Sequence, residues 1–181
     1  MRDELDAKRI EIVIAMKALK TKLETGDDSQ LLVWVLRDRL ACAQRPLRHH
    51  PRYSGSGVVL PATLTPLVFD WVAKIRAAGI VSVISFMHDR DRACYAELDL
   101  GSEDVLSFYE SQGLAVVRLP WEDPHHSRAD KMVKQRALDD SRARALRAFD
   151  ELSKPVLLQC SAGIDRSAPV AAYIWQNRRS S

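Results

Sequence analysis

The sequence predicts an α/β fold with a central, mostly parallel sheet and helices on both faces. From residue 65 onward, helical segments alternate with short apolar segments rich in β-branched residues. Parallel strands need long crossover connections, which a chain most often supplies as helices. Strands that are apolar along their whole length, rather than at alternate positions, are typical of sheets covered on both faces. Both patterns therefore point to the same architecture.

The elements of this region follow from their end signals. Thr65-Pro66 is a typical helix start, and Gly79 and Gly113 each end a helix just before an apolar segment. Ser102 is the expected cap of the helix that Gly113 ends. Helices are predicted over 65–78, 102–112, about 129–152 and from 167, and strands over 80–86, 114–119 and 155–159.

The first 44 residues predict a helical hairpin, an N-terminal extension of the α/β domain. Gly26 separates two segments whose apolar residues recur at helical spacing. The segment 45–57 is rich in Pro, Gly and Ser and reads as a linker or surface loop. The predicted division is therefore an extension over 1–44 and a domain over 45–181. The residues that define the two helical faces are Ile12, Met16, Leu19 and Leu23 in the first helix and Leu32, Leu36 and Leu40 in the second.

Composition excludes several classes of function. The chain has 27 basic and 24 acidic residues, a net charge of +3 that predicts no nucleic-acid partner. Its 3 cysteines form no disulfide framework, which favours a reducing compartment. No secretory leader pattern and no apolar run of about 18 residues is found, so we expect a cytoplasmic protein without an integral membrane segment. The pairs His49-His50 and His125-His126 complete no ligand set, and no metal or other cofactor is expected.

One loop contains residues that predict a reactive, anion-binding site. In the stretch LLQCSAGIDRS, residues 157–167, Cys160 ends a predicted strand and a helix follows. Ligands of parallel sheets bind outside the carboxyl ends of the strands. Backbone N–H groups of such a turn and of the following helix attract an anion and favour a thiolate. The planar fork of Arg166 matches two oxygens of a tetrahedral oxyanion. The predicted phosphate-binding residues are Ser161, Ala162, Gly163, Ile164, Asp165 and Arg166.

This Cys-x5-Arg-Ser loop, with Gly163 inside it and a strand before it, resembles the signature of the cysteine-dependent protein tyrosine and dual-specificity phosphatases. The resemblance covers roughly residues 79–177. It implies a dual-specificity-phosphatase-like fold and a metal-free, two-step hydrolysis of a phosphomonoester through a phosphocysteine. By this resemblance Cys160 is the nucleophile, Arg166 holds the phosphoryl oxygens, and Ser167 donates a hydrogen bond to the sulfur.

The same chemistry needs an acid that protonates the leaving group. The segment 119–124 follows the preceding strand, reaches the same sheet edge as Cys160, and resembles the mobile acid loop of the family. Asp123 matches the general acid, which also serves as base in the second step; Glu122 is its neighbour. Asp165 is an alternative acid, because Asp-Arg-Ser is similar to the loops of myotubularin-type and some bacterial lipid phosphatases. An ion pair that braces the loop is an equally good interpretation of Asp165.

The substrate expected from these residues is a phosphorylated protein, with phosphotyrosine first and phosphoserine or phosphothreonine as further targets. A phosphoinositide is the alternative, but Ser161, Ala162 and Ile164 supply no charge for the other phosphates of an inositol ring. A phosphate-binding module without turnover is the alternative from another class. The charged cluster 88–92 follows the strand that ends at Phe86 and is a candidate wall of the cleft.

Overall fold

A mixed sheet of five strands forms the centre of the protein, which this computed structural model describes over residues 2–180. The strands are β1 (Val33–Leu36), β2 (Leu40–Gln44), β3 (Ser82–Ser85), β4 (Ala115–Arg118) and β5 (Val156–Cys160). Their order across the sheet is β1-β2-β5-β3-β4. Only β1 runs antiparallel to its neighbour among these strands, so the sheet is mostly parallel.

Helices flank this sheet. They are α1 (Arg2–Glu24), α2 (Thr65–Ala77), α3 (Asp89–Arg92), α4 (Val105–Ser111), α5 (Lys131–Glu151) and α6 (Ser167–Arg178), with short 3-10 turns at Ala62–Leu64 and Ala93–Tyr95. On one face α6 packs against α1, α5 and the strands β2 and β5. On the other face α2 meets α4 through stacked rings of Trp71 and Tyr109, 5.7 Å apart. The predicted α/β fold with a mostly parallel, helix-flanked sheet is confirmed. No helix among residues 2–180 combines the length and the apolar character needed to cross a membrane.

The predicted N-terminal helical hairpin is wrong in its second helix. The first helix forms as α1, with its predicted apolar face buried. The second segment instead forms the strand hairpin β1–β2, whose turn places Asp38 at a φ of 56°. All five residues of β2 are buried, so this strand has no polar face. The four-residue spacing of Leu32, Leu36 and Leu40 therefore does not indicate a helix here. Pairing with the central strand β5 decides its conformation.

Of the two interpretations of the segment 45–57, linker or surface loop, the structure shows a loop whose first residues are buried. Arg45 is buried, and its backbone N–H donates a hydrogen bond of 2.9 Å to the carbonyl oxygen of Ser161. The sheet therefore continues through residue 44, and the loop that follows it packs against the loop after β5. Residues 33–44 belong to the sheet rather than to a helical extension.

Helix α1 also reaches the loop that follows β5. Met16 lies so close to Gly163 that a β-carbon at position 163 would collide with the end of the methionine side chain. The helix thus packs directly against this loop.

Removing Met16 tests this packing. Met16→Ala is expected to lower the free energy of unfolding by about 2–4 kcal/mol, because a buried methionine replaced by alanine leaves a cavity. Ile14→Ala is the matched control, since Ile14 lies on the same helix at 63% exposure, and should change stability by less than about 0.5 kcal/mol. Urea denaturation followed by circular dichroism measures both. Equal losses in the two variants would contradict the packing of α1.

Candidate active site

Four loops meet at one edge of the sheet. Strands β2, β3, β4 and β5 are parallel to one another, so their carboxyl ends lie at the same edge. The loops that begin there start at residues 45, 86, 119 and 161. The loop after β5 lies between the others because β5 is the central strand. Side chains from all four loops can therefore contribute to one site.

The loop after β5 folds around the sulfur of Cys160. The thiol is buried, and its Sγ accepts a hydrogen bond of 3.2 Å from the backbone N–H of Gly163. Gly163 has a φ of 75°, which other residues rarely adopt. A β-carbon there would also lie 3.0 Å from the carbonyl oxygen of Ala43. Glycine is therefore required for the loop to close around the sulfur.

Arg166 is held in place along one end of its guanidinium. Its Nη1 donates to the Oδ2 of Asp91 at 2.6 Å, to the carbonyl oxygen of Phe86 at 3.0 Å and to that of Trp121 at 3.0 Å. The side chain is only 1% exposed. Its Nε is buried and has no hydrogen-bond partner among the residues described. Nη2 also makes no hydrogen bond among these residues, and its nearest carboxylate oxygen is Oδ2 of Asp123 at 3.8 Å. The edge formed by Nε and Nη2 therefore has donors for two parallel hydrogen bonds to an oxyanion.

Charge around Arg166 is balanced by its neighbours. Burial lowers the pKa of Arg166, but the Cys160 sulfur and the Asp91 carboxylate more than offset this, so the net shift is upward. Burial raises the pKa of Asp91, yet the hydrogen bond and charge of Arg166 outweigh it and hold that pKa below its usual value. Asp91 is therefore ionised at neutral pH. It belongs to the cluster 88–92, but nothing in the sequence distinguishes it from Asp89 as the partner of Arg166.

The loop after β4 closes over this site. The ring of Trp121 meets that of Phe86 edge-on at 6.4 Å, and its backbone N–H donates to the Phe86 carbonyl. Asp123 then lies with Oδ2 3.8 Å from Nη2 of Arg166, while its Oδ1 accepts the backbone N–H of His125. The neighbouring Glu122 is exposed. Asp123 and Arg166 therefore lie together at the edge of the sheet where β5 ends.

Asp165 and Ser167 differ in their surroundings. Asp165 Oδ1 lies 3.1 Å from Nε2 of His125 at the rim of the site, so Asp165 connects the loop after β5 to the loop after β4. The expected hydrogen bond from Ser167 to the sulfur is not formed. Its hydroxyl is fully buried and has no partner among residues 2–180, and Gly163 donates to the sulfur instead. The hydroxyl is therefore a second unpaired donor close to Cys160.

The remaining predicted phosphate-binding residues lie in the loop itself. Ser161 is buried, and Ala162 and Ile164 are partly exposed. The helix α6 begins directly after Arg166 with no side chain capping its first N–H groups. These groups carry partial positive charge at the helix start. These N–H groups and the Nε–Nη2 edge of Arg166 surround the centre of the loop 160–166 and make it suitable for an anion. We call this centre the cradle.

Arg48 is a site residue that the sequence did not reveal. Its Nε donates a hydrogen bond of 3.1 Å to the hydroxyl of Ser161, and the side chain is half-buried. Burial and the nearby charge of Arg45 lower the pKa of Arg48. Arg45 is itself fixed by a hydrogen bond of 2.8 Å from Nη2 to the Gly55 carbonyl. Recognising 40–44 as a parallel strand would have placed this loop at the site.

Gln159 lies in β5, directly before Cys160. Its Nε2 donates to the hydroxyl of Tyr109 at 3.1 Å and to the carbonyl oxygen of Gln44 at 3.3 Å. The side chain is fully buried. It therefore connects β5 to α4 and to the end of β2, and so fixes the strand that ends at Cys160.

Comparison with known proteins adds no family to this description. No protein-family model matches the chain, and no curated protein matches it. The chemical meaning of the site therefore rests on Cys160, Arg166 and Asp123: a buried thiol, a fixed guanidinium with a free edge, and a carboxyl group beside it.

The ion pair between Arg166 and Asp91 predicts that Asp91→Asn lowers the free energy of unfolding by an amount that depends on pH. At neutral pH the variant should unfold with a free energy about 3 kcal/mol lower, because a buried charge loses its partner. The pKa of Asp91 is lower in the folded than in the unfolded protein. Its contribution to the free energy of unfolding is therefore complete above the usual pKa of 3.8 and disappears as the pH falls through the pKa of the folded state. Urea denaturation between pH 7 and pH 3 should show the two proteins converging in acid.

The control for this variant is Asp89→Asn. Asp89 forms an ion pair with Arg92 at 2.6 Å, but its side chain is 77% exposed. Asp89→Asn should therefore lower the free energy of unfolding by less than about 1 kcal/mol. A stability difference for Asp91→Asn that does not change with pH would contradict the assigned ion pair.

Proposed function

We propose that this protein is a cysteine-dependent phosphatase of dual-specificity type that hydrolyses phosphomonoesters in proteins. The observation that carries the proposal is the Nε–Nη2 edge of Arg166, which makes no hydrogen bond among the described residues, near the buried thiol of Cys160. A planar pair of donors next to a nucleophile suits a phosphoryl group, whose oxygens it binds while sulfur approaches phosphorus. The carboxyl group of Asp123, 3.8 Å from Arg166, supplies the proton donor.

In the first step the thiolate of Cys160 attacks phosphorus and forms an S–P bond. The bond between phosphorus and the leaving-group oxygen breaks, and Asp123 transfers its proton to that oxygen. Arg166 holds two of the remaining phosphoryl oxygens, and the N–H groups at the start of α6 hold further negative charge. The products of this step are a free alcohol or phenol and a phosphocysteine.

In the second step the carboxylate of Asp123 accepts a proton from water. The water oxygen attacks phosphorus, the S–P bond breaks, and its electron pair returns to the sulfur of Cys160. Ser167 has an unpaired buried hydroxyl near this sulfur, and rotation about one side-chain bond changes where that hydroxyl donates. Inorganic phosphate then leaves. The nucleophile, the positive charge and the proton donor all come from side chains, so the proposed reaction includes no metal or cofactor.

Asp123 is the proposed acid in preference to Asp165. Asp123 approaches the end of Arg166 that faces the cradle. Asp165 instead pairs with His125 at the rim, and 36% of its side chain is exposed. A group that connects two loops at the rim is better suited to bracing them than to protonating a leaving group over Cys160.

A phosphoinositide is the second candidate substrate. Ser161, Ala162 and Ile164 carry no charge, which favours a phosphoprotein. Arg48, however, lies against Ser161 at the edge of the cradle. A cation there would also suit a second phosphate on the same substrate.

Hydrolysis of an aryl phosphate by wild type and by Cys160→Ser, with a metal chelator present, tests the proposal. Turnover by wild type and none by the variant is the expected result, since serine at this position lacks a thiolate. Absence of turnover in wild type, together with retained binding of phosphate or vanadate, would favour the phosphate-binding module instead. Turnover that survives in Cys160→Ser would reject the nucleophile assignment.

The two carboxyl groups are separated by Asp123→Asn and Asp165→Asn. Asp123→Asn should lower kcat by about 10²- to 10⁴-fold, because it removes the proton transfer, with little change in phosphate affinity. Asp165→Asn should have a smaller effect, through its contact with His125. Steady-state kinetics on a phosphotyrosine peptide compares them. A larger loss for Asp165→Asn would make Asp165 the acid.

A further inference from the structure

A groove of about 580 Å³ runs from the cradle between α1, the start of α5 and the loop after β4. Ile164 and Asp165 form part of its lining, and both belong to the loop that follows Cys160. The groove therefore begins at the loop that the proposed function assigns to the phosphate. Because it is contiguous with this loop, it can hold a part of the substrate other than the phosphoryl group.

Four cations line this groove, and we call it the cationic groove. Arg9 and Lys17 come from α1, and Lys131 and Lys134 come from α5. No carboxylate among residues 2–180 forms an ion pair within 4.0 Å of any of these four. Asp165, the acidic residue of the lining, lies 3.1 Å from His125. The groove therefore carries positive charge that the protein itself does not neutralise.

Elsewhere on the same two helices, some cations form ion pairs. On α1, Lys20 lies 3.6 Å from Glu24, and on α5, Arg144 lies 3.4 Å from Asp140. Each pair joins residues one helical turn apart, the usual arrangement on a solvated helix face. Three cations of these helices outside the groove also form no ion pair with a described residue, namely Lys22, Arg136 and Arg147. The groove differs from them in that its four unpaired cations, from two helices, line one concave surface. Unpaired cations from two helices in one concave surface attract an anionic ligand.

We propose that the cationic groove binds an acidic peptide segment next to the phosphorylated residue of a protein substrate. This inference rests on the proposed phosphatase activity and specifies its substrate class. The lining also contains the apolar side chains of Val13, Trp121 and Leu138. An acidic segment with interspersed apolar residues would cover these side chains as well as neutralise the cations. An inositol phosphate has no apolar part that would do so.

The charges of the groove act mainly on association. All four lie at the margin of the site, and exposed charges change the association rate and its salt dependence more than they change the affinity of a fully formed complex. At an ionic strength near 0.15 M their field extends about 8 Å into solvent. We therefore expect kcat/KM for acidic peptides to fall as salt increases.

The test compares two phosphotyrosine peptides, one flanked by Asp and Glu and one with Asn and Gln at the same positions. The ratio of kcat/KM for the acidic to the neutral peptide is measured in wild type and in the double variant Lys131→Ala/Lys134→Ala. The ratio should be about tenfold in wild type at low salt and fall towards one in the variant. Lys20→Ala/Arg144→Ala removes two cations from the same helices outside the groove, and should keep the wild-type ratio.

Three other results have a defined meaning. An unchanged ratio in the groove variant would overturn the proposal. Lys131→Ala/Lys134→Ala is also assayed on phosphatidylinositol phosphate in vesicles. If this variant keeps the wild-type peptide ratio but loses hydrolysis of the lipid, the proposal is overturned, because the occupant of the groove is then a lipid headgroup. If wild type hydrolyses neither peptides nor an aryl phosphate, the proposed phosphatase function fails. Fluorescence anisotropy with the acidic phosphopeptide then tests the groove independently: binding that Lys131→Ala/Lys134→Ala weakens would still support it.

Discussion

The ion pair between Arg166 and Asp91 is the contact on which the candidate site depends. One guanidinium nitrogen binds the carboxylate of Asp91, the carbonyl oxygen of Phe86 and that of Trp121. These acceptors follow β3 and β4, whereas Arg166 follows β5. A single buried side chain therefore connects three loops. A buried cation without its carboxylate is strongly unfavourable, so the position of each loop depends on the presence of this pair.

Fixing one end of Arg166 leaves the other end unsatisfied. Its Nε and the hydroxyl of Ser167 are both buried and unpaired among the described residues. Leaving a buried donor without a partner costs about 1–3 kcal/mol. Such a cost is tolerated where a ligand supplies the missing acceptors, as at binding sites. The same interaction that orders the loops thus leaves donors that an oxyanion could satisfy.

Local sequence patterns predicted the parallel strands β3, β4 and β5 and the sheet edge at which their following loops begin. The strands β3, β4 and β5 lie in short apolar runs, each of which follows a predicted helix, and Gly79 and Gly113 end two of those helices. The parallel direction of these strands, and therefore the edge at which Cys160 and Asp123 follow them, could be predicted. The helix α4 starts later than predicted, because Asp104 rather than Ser102 caps it. The strands β1 and β2 could not be predicted, since leucines at 32, 36 and 40 fit a helix equally well. Pairing with β5, distant in sequence, excludes that helix.

The unpredicted strand also determines how charge is arranged around the cradle. Because β2 is parallel to β5, its following loop reaches the same edge and brings Arg48 to Ser161, the first residue after Cys160. The cationic groove adjoins Ile164 and Asp165, at the other end of the same loop. In the proposed phosphatase, Arg48 would lie beside the phosphoryl group or beside a second phosphate on the same substrate. The cations of the cationic groove would contact only the parts of a substrate that extend beyond this loop, so the proposal assigns the choice between flanking sequences to them.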